Sequence, residues 1–474
     1  MRIVFFSLIC CAAFAQTKPN VVIINMDDMG YGDTEPFGMT GIPTLNFNKL
    51  ASQGLRLTNF NAAQAVCSAS RAALLTGCYP NRIGIVGALL PQSTIALGRD
   101  ESTIATLLKA NGYSTAMFGK WHLGNRPPHF PLQFGFETFY GLPYSHDIWP
   151  IDYHGKPIED PSNIRSTWPP LPVIEGDKQI ATITTLEQQA HWTTSITEHA
   201  VEYIGRNHSK PFFLYVAHPL PHVPLAVSNK FRGKSELGTF GDVIMELDWS
   251  LGQIMDAIDK AGIADNTVLI VTSDNGPWVH FGNHAGSSAA FREGKGTPFE
   301  GGTRVPFIIR WPGKIAGGMV SGALMTNMDI LPTICSITGA KLPPKKIDGI
   351  DFSLFFTGKS GKDPRDVFYY YYGRNNLMAI RWKHWKFVLP HESQSYENGT
   401  LGKDGVPGTL KSNNTVSQAL YDLPHDPGEE YDVQSLYPDI VSEMQKLAEE
   451  ARKDLGDAIT NRKGENVREA GRLE

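Results

Sequence analysis

Several short stretches of this chain carry residues whose types and spacing suit chemistry on an anion. The most pointed is Cys67-Ser68-Ala69-Ser70-Arg71, followed by Ala72-Ala73-Leu74-Leu75-Thr76-Gly77. Polar residues leading into a short apolar run that closes on Gly predict a loop feeding a helix, with Ser68 or Ser70 as cap and Gly77 as stop. Cys67 then sits at the positive end of a helix, where an anion is favoured. Arg71 adds a planar cation suited to tetrahedral oxyanions. For the pair taken alone, a buried Cys and a surface Arg is the favoured explanation.

Asp27 and Asp28 follow the apolar run Asn20-Val-Val-Ile-Ile-Asn25, which reads as a buried strand. Paired carboxylates at the end of a first parallel strand stand where α/β sheets place ligands. Two adjacent carboxylates repel unless a cation lies between them, so a divalent metal is the economical explanation, against the alternative of an Asp-Gly turn. Asp33, further along, reads as loop. A second strand, Thr267 to Thr272, ends in Ser273-Asp274-Asn275-Gly276, two more hard oxygen ligands at a strand tip.

Lys120 and His122 alternate around Trp121 after a strand over Tyr113 to Gly119. On an extended segment both point one way, a cation beside a titratable ring. The strand Pro211 to Ala217 leads into His218-Pro-Leu-Pro-His222-Val-Pro, two His in a loop stiffened by three Pro. Lys295 lies in Gly294-Lys-Gly-Thr-Pro-Phe-Glu300-Gly-Gly, a loop with glycine on both sides.

The elements holding these residues alternate in an α/β pattern. Asn46 to Leu57 has helical spacing. Ser102 to Asn111 reads as a helix with a Ser cap, and Thr193 to Arg206 is also helical. Gly241 to Ala261 carries an aliphatic stripe at 3,4 spacing that belongs to a core. Val305 to Arg310 is a further strand, and Asp329 begins another helix. Pro127 to Pro172 reads as a long aromatic and Pro-rich excursion over the site, the kind of loop that carries specificity. Beyond Leu354 come short aromatic runs at Val367–Tyr372, Leu377–Arg381, Trp385–Leu389 and Ala419–Asp422. They predict a small antiparallel sheet, closed by a helix over Tyr437–Leu455 and a polar tail that frays. Lys383 and His384 read as exposed strand residues, and His391, just past a strand, as a candidate to reach over the site.

At 474 residues the chain can bury a large core, best divided into one large α/β domain with a smaller appendage. A composition of 41% hydrophobic and 19% charged residues is that of a soluble globular protein. A net charge of -5 without a basic stripe argues against nucleic acid as a partner. Met1-Arg2, the apolar run Ile3 to Phe14 and Ala13-Phe14-Ala15 make a secretory signal peptide and not a membrane span. Cys10 and Cys11 fall inside it. The mature chain keeps Cys67, Cys78 and Cys335, and whether the last two pair is open.

The pattern C-x-[AP]-S-R with leucines and T-G resembles the signature of type I sulfatases, and G-K-W-H-L-G (119–124) resembles their second signature. The Asp pair, the His before x-Pro, the Asp-Asn pair and G-K-G-T-x-x-E-G-G also occur in family order. In texture the chain resembles the arylsulfatase A and N-acetylgalactosamine-6-sulfatase branches. The resemblance implies an alkaline phosphatase-like fold: a large mixed sheet flanked by helices at 16–354 and a C-terminal α+β subdomain with a small antiparallel sheet at 355–474. It implies a sulfuric ester hydrolase in which a maturation enzyme oxidises Cys67 to Cα-formylglycine. It further implies one Ca²⁺ held by Asp27, Asp28, Asp274 and Asn275 with the modified Cys67.

In that family the hydrated aldehyde attacks sulfur while His222, with Lys295, protonates the departing alcohol. His122 then removes a proton so that sulfate leaves, and Arg71, Lys120 and Lys295 offset charge on the sulfate. His222 matches the motif better than His218. Ser145, in Gly141-Leu-Pro-Tyr-Ser145-His146-Asp147, matches a serine that reaches the substrate together with Lys120, His222 and Lys295; His391 is a further candidate for that contact. The expected substrate is a sulfated carbohydrate met outside the cell or in the periplasm. A phosphatase or phosphonate monoester hydrolase of the same fold, and a catalytically silent sulfated-glycan-binding protein, are the alternatives. The sugar, the ring position, end or interior attack and the oligomeric state are not legible.

Overall fold

The computed structural model describes residues 18–473, so the expected leader lies outside the described residues. A central sheet is built from β1 (Asn20–Asp27), β2 (Leu55–Leu57), β3 (Ser114–Lys120), β4 (Thr138–Leu142), β5 (Leu171–Glu175), β6 (Lys178–Ile183), β7 (Phe212–Pro221), β8 (Thr267–Ser273), β9 (Phe307–Arg310) and β10 (Met319–Ser321). Their order is β10-β2-β9-β8-β1-β7-β3-β4-β5-β6. The run from β8 to β4 is parallel. β2 shares that direction, because it is antiparallel to β9, itself antiparallel to β8. The C-terminal ends of β1, β2, β3, β4, β7 and β8 therefore lie along one edge of the sheet.

Both faces of this sheet are covered, which is why β1 reads as an unbroken apolar run. Val21, Ile23, Phe213, Tyr215, Val268 and Ile270 pack on one side, against α2 (Cys67–Thr76), α3 (Ile104–Ala110) and α6 (Ile330–Thr338). Their alternates Val22, Ile24, Leu214, Val216, Leu269 and Val271 pack on the other side, against α1 (Leu45–Gln53), α4 (Trp192–Asn207) and α5 (Gly238–Lys260). The stripe of α5 (Ile244, Leu247, Leu251, Ile254, Ile258) is fully in that core.

Several local expectations need correction. The helix expected to run to Leu57 ends at Gln53, and Leu55–Leu57 is drawn into the sheet by pairing with Phe307–Ile309. Val66 caps α2, not a serine. Ser68 and Ser70 lie inside the helix and bond outward, to the Leu89 amide at 3.0 Å and the Asn327 side chain at 2.8 Å. Gly77 does stop α2, in the left-handed conformation at φ 69°. Thr103, in a capping box with Thr106, caps α3 in place of Ser102. The excursion from Pro127 to Pro172 contains β4 and the start of β5. Cys78 and Cys335 are both free and buried.

The C-terminal subdomain contains an antiparallel sheet of β11 (Val367–Tyr372), β12 (Asn376–Trp382), β13 (Trp385–Val388) and β16 (Ala419–Asp422), in the order β11-β12-β13-β16. A separate hairpin joins β14 (His391–Ser395) to β15 (Lys411–Val416). Lys383 and His384 are not strand residues; they form the turn between β12 and β13. Helix α7 (Pro438–Leu455) packs on the sheet through Met444, Ala448, Ala451 and Leu455. The tail is not frayed. Gly471–Arg472 pairs with Ile95–Ala96, and Arg468 bonds the buried Glu101 carboxylate at 2.7 and 2.9 Å. Buried ion pairs cross the seam as well: Arg365 grips Asp329 with both arms, and Arg381 and Lys386 meet Glu300.

Candidate active site

The shared sheet edge collects most of the residues singled out above. Asp27 ends β1, and Asp28 follows it at φ 63°, a left-handed turn that swings its carboxylate toward the tip of β8. There the Asp28 amide donates to Asp274 Oδ1 at 3.2 Å, and Asn275 Nδ2 donates to Asp28 Oδ1 at 2.6 Å. Arg71 Nε and Nη2 both reach Asp274 Oδ2 at 2.8 Å, and Nη2 lies 3.4 Å from Asp27 Oδ2. Cys67 is the first residue of α2, only 3% exposed, packed with Val66, Ala69 and the ring of Tyr372 from β11.

Lys120 ends β3 and is fully buried. Its Nζ donates to Asp27 Oδ2, and to Ser145 Oγ at 3.0 Å. Gly119 before it has φ 114°, and a Cβ there would lie 2.0 Å from the Ala217 carbonyl oxygen. Glycine therefore lets β3 and β7 close beside the site. The strand does not extend through His122. That residue turns at φ 63°, and its Nε2 meets the Leu89 carbonyl at 2.9 Å. A carbonyl only accepts, so Nε2 carries the hydrogen; Nδ1 keeps its lone pair, buried and without a partner.

His222 follows β7, its Nδ1 bonded to the Val223 carbonyl at 2.5 Å and its Nε2 3.5 Å from Asp28 Oδ2. His218 is inside β7 and bonds Ser250 Oγ at 3.0 Å, away from the carboxylates. Lys295 Nζ reaches Asp28 at 2.8 Å. His391 opens β14 and bonds the Leu389 carbonyl at 2.6 Å; the structure gives it no bond to the strand-tip carboxylates or to Lys295. Trp278, which motif reading passed over, and His146, given no role beyond its place beside Ser145, both stand against His222. The Trp278 ring lies 4.6 Å under Lys295 Nζ and 5.5 Å from the His222 ring, and His146 meets His222 edge-on at 5.5 Å. Asp33 is loop, as expected, yet wholly buried, accepting from the Gly30 and Ser287 amides at 2.6 Å each.

The electrostatics follow from packing three carboxylates in a dry pocket. Burial pushes Asp28 up to about 6 and Asp274 to about 7, with Asp27 adding to both. Burial acts on Asp27 too, but Lys120 and Arg71 outweigh it and hold it well below the usual range. Burial, then Lys295, lowers His222 to about 4, and burial raises the Cys67 thiol.

Asp27, Asp28 and His222 each place a ligand atom within 4.8 Å of the others. Asp27 Oδ1 and Asn275 Oδ1 are buried without any partner. Oxygen donors from Asp27, Asp28 and Asn275, two of them orphaned, fit a hard divalent cation, with the His222 ring beside them. Strand tips, oxygen cage and converging cations on one sheet define a hydrolase of the alkaline phosphatase-like fold, built for esters of a tetrahedral oxyanion.

The comparisons narrow that class. The Sulfatase family model matches residues 19–340, the model for the C-terminal region of aryl-sulfatase matches 363–470, and that for the N-sulphoglucosamine sulphohydrolase C-terminus matches 294–397. Arylsulfatase A from Bos taurus is 36% identical over 93% of this chain and 87% of its own length. N-acetylgalactosamine-6-sulfatase from Mus musculus is 35% identical over 96% and 90%. The crystal structure of the PsFucS1 sulfatase from Pseudoalteromonas sp. superposes with a TM-score of 0.81 at 29% identity, covering 91% of this chain and 89% of that one. The chain belongs to the sulfatase family and is a sulfuric ester hydrolase.

Proposed function

We propose that this enzyme releases inorganic sulfate from a sulfated carbohydrate, using Cys67 as Cα-formylglycine and one Ca²⁺. The observation that carries the reading is the placement of Cys67 at the start of α2, on the same sheet edge as Lys120, Lys295 and the oxygens of Asp27, Asp28, Asp274 and Asn275. Calcium is the better fit than magnesium, which keeps more of its own water. An ion held by Asp27, Asp28, Asp274 and Asn275 would supply Lewis-acid polarisation of the sulfate, and the modified Cys67 would supply the attacking hydroxyl.

The side chains do the rest. Lys120, Arg71 and Lys295 bring positive charge to the oxygens of a bound sulfate, and Ser145, tied to Lys120, adds a hydroxyl beside them. His222, with Lys295, delivers a proton to the departing alcohol oxygen. His122 takes a proton through Nδ1, whose lone pair the Nε2 bond to Leu89 leaves unshared. The chain divides into a catalytic domain, 16–354, and a subdomain, 355–474. It is exported through the leader at 1–15, and a maturation enzyme acts on Cys67.

Support for a sugar comes from the N-acetylgalactosamine-6-sulfatase relatives and from the aromatic excursion beside Ser145. Turnover on defined sulfated monosaccharides, aryl sulfates and phosphate monoesters tests it. Hydrolysis of at least one sugar sulfate is expected. Activity confined to aryl sulfates would remove the carbohydrate, faster phosphate release would favour the phosphatase alternative, and no turnover by protein bearing formylglycine would favour a silent glycan-binding protein.

A further inference from the structure

Lys295 is fixed by its main chain from three directions. Its amide donates to the Pro277 carbonyl at 2.9 Å, in the loop that follows Asn275. The next amide, of Gly296, donates to the Ala65 carbonyl at 2.8 Å, two residues before Cys67. The Lys295 carbonyl accepts from Tyr396 Oη at 2.5 Å and from Gln394 Nε2 at 2.7 Å, so both its lone pairs are used by the C-terminal subdomain.

The two donors are themselves braced. Gln394 Nε2 also donates to Tyr396 Oη at 3.0 Å, and the Tyr396 ring stacks on His280 at 5.7 Å. The Glu293 carboxylate takes Ser395 Oγ at 2.6 Å and the Tyr396 amide at 2.7 Å, fastening the end of β14 to the loop that carries Lys295. Gly296 makes the approach possible: at φ 80°, a Cβ there would lie 2.3 Å from Gln394 Nε2. At the far end of the side chain, Asp28 and the Trp278 ring hold the ammonium. A long flexible stem has a defined tip only if its root is defined too.

We propose that Tyr396 and Gln394 are positioning residues for Lys295, which makes the C-terminal subdomain a working part of the active site. The inference rests on the reading of Lys295 as a cation that faces the substrate sulfate. Misplacement of such a group by about 1 Å costs up to ~10²-fold in rate.

The test is a double-mutant cycle on the full-length protein: Tyr396→Phe with Gln394→Leu, Lys295→Ala, and the triple variant. Steady-state kinetics on a sulfate ester the parent hydrolyses gives kcat and KM, and calorimetry with inorganic sulfate gives the same cycle where turnover is too slow. Unfolding midpoints confirm that each variant folds.

The clamp variant should lose about 10- to 100-fold in kcat/KM, while the triple variant should be no worse than Lys295→Ala within about twofold. A loss of equal size with and without Lys295 would assign Tyr396 and Gln394 a purely structural role and overturn the proposal, as would full activity of the clamp variant. If Lys295→Ala alone changed neither turnover nor sulfate affinity, the reading of the site would fall first, and this inference with it.

Discussion

Arg71 Nη1 donates to the main-chain carbonyl of Lys120 at 2.9 Å, while the same guanidinium grips Asp274. One planar group thus ties the helix that begins at Cys67 to the tips of β3 and β8. Lysine has the charge but not the fork. Arg71→Lys should therefore lower kcat/KM by about 10²-fold, measured by steady-state kinetics. A loss below about threefold would show that charge alone suffices.

Cys67 gives a prediction about mass. The proteolytic peptide spanning it should be about 18 Da lighter than its thiol form, and Cys67→Ala should abolish sulfate release. Full activity in that variant would remove the nucleophile from the scheme.

The oxygen cage predicts a stability change that needs no turnover. Dialysis against a chelator should lower the unfolding temperature and Ca²⁺ should restore it, by about 2.7 kcal/mol at a hundredfold excess over Kd. Mg²⁺ should restore less. Asp27→Asn should erase the response; if it responds like the parent, the ion is held elsewhere.

The seam predicts a large structural cost. Asp329 is fully buried, and Arg365 satisfies both of its oxygens. Arg365→Ala leaves that charge unpaired and should destabilise the protein by about 3–5 kcal/mol in denaturant titration.

His218 predicts the acid limb of stability. Burial lowers it to about 3, and it lies away from the strand-tip carboxylates. Between about pH 6.5 and 3 the unfolded chain binds a proton that the folded chain refuses, so stability falls as pH falls through that window, by up to about 1.4 kcal/mol per pH unit. Above pH 6.5 the effect vanishes. His218→Gln should flatten the curve between pH 6.5 and 5 relative to the parent; an unchanged slope would place the proton uptake on other histidines.

The strands were legible where burial on both faces left an uninterrupted apolar run, as in Asn20–Asn25 and Thr267–Thr272. Their tips followed, with Asp27 and Asp28 at one and Asp274 and Asn275 at another; the resemblance to the sulfatases is what joined the four into one ligand set. Local polar signals misled where a side chain had distant work to do. Ser68 and Ser70 look like caps but serve Leu89 and Asn327. Leu55–Leu57 has helical spacing but answers to Phe307–Ile309, some 250 residues away. The tail's polarity suggested fraying because its partners, Ile95–Ala96 and Glu101, come from the other end of the chain. Tyr396 and Gln394 gave no signal at all, since a bond to a main-chain carbonyl a hundred residues back leaves no mark on the acceptor's identity.

The burial of Cys67 also sets a clock. Its thiol is 3% exposed in the folded chain, in a small cluster against which Tyr372 packs. Oxidation of Cys67, as proposed above, would therefore come before Tyr372 packs there, and Tyr372 is made about 300 residues after Cys67. At roughly 5–20 residues per second that interval is about 15–60 s. Under the proposed oxidation, the order of residues along the chain would give the modifier that interval in which to reach the thiol.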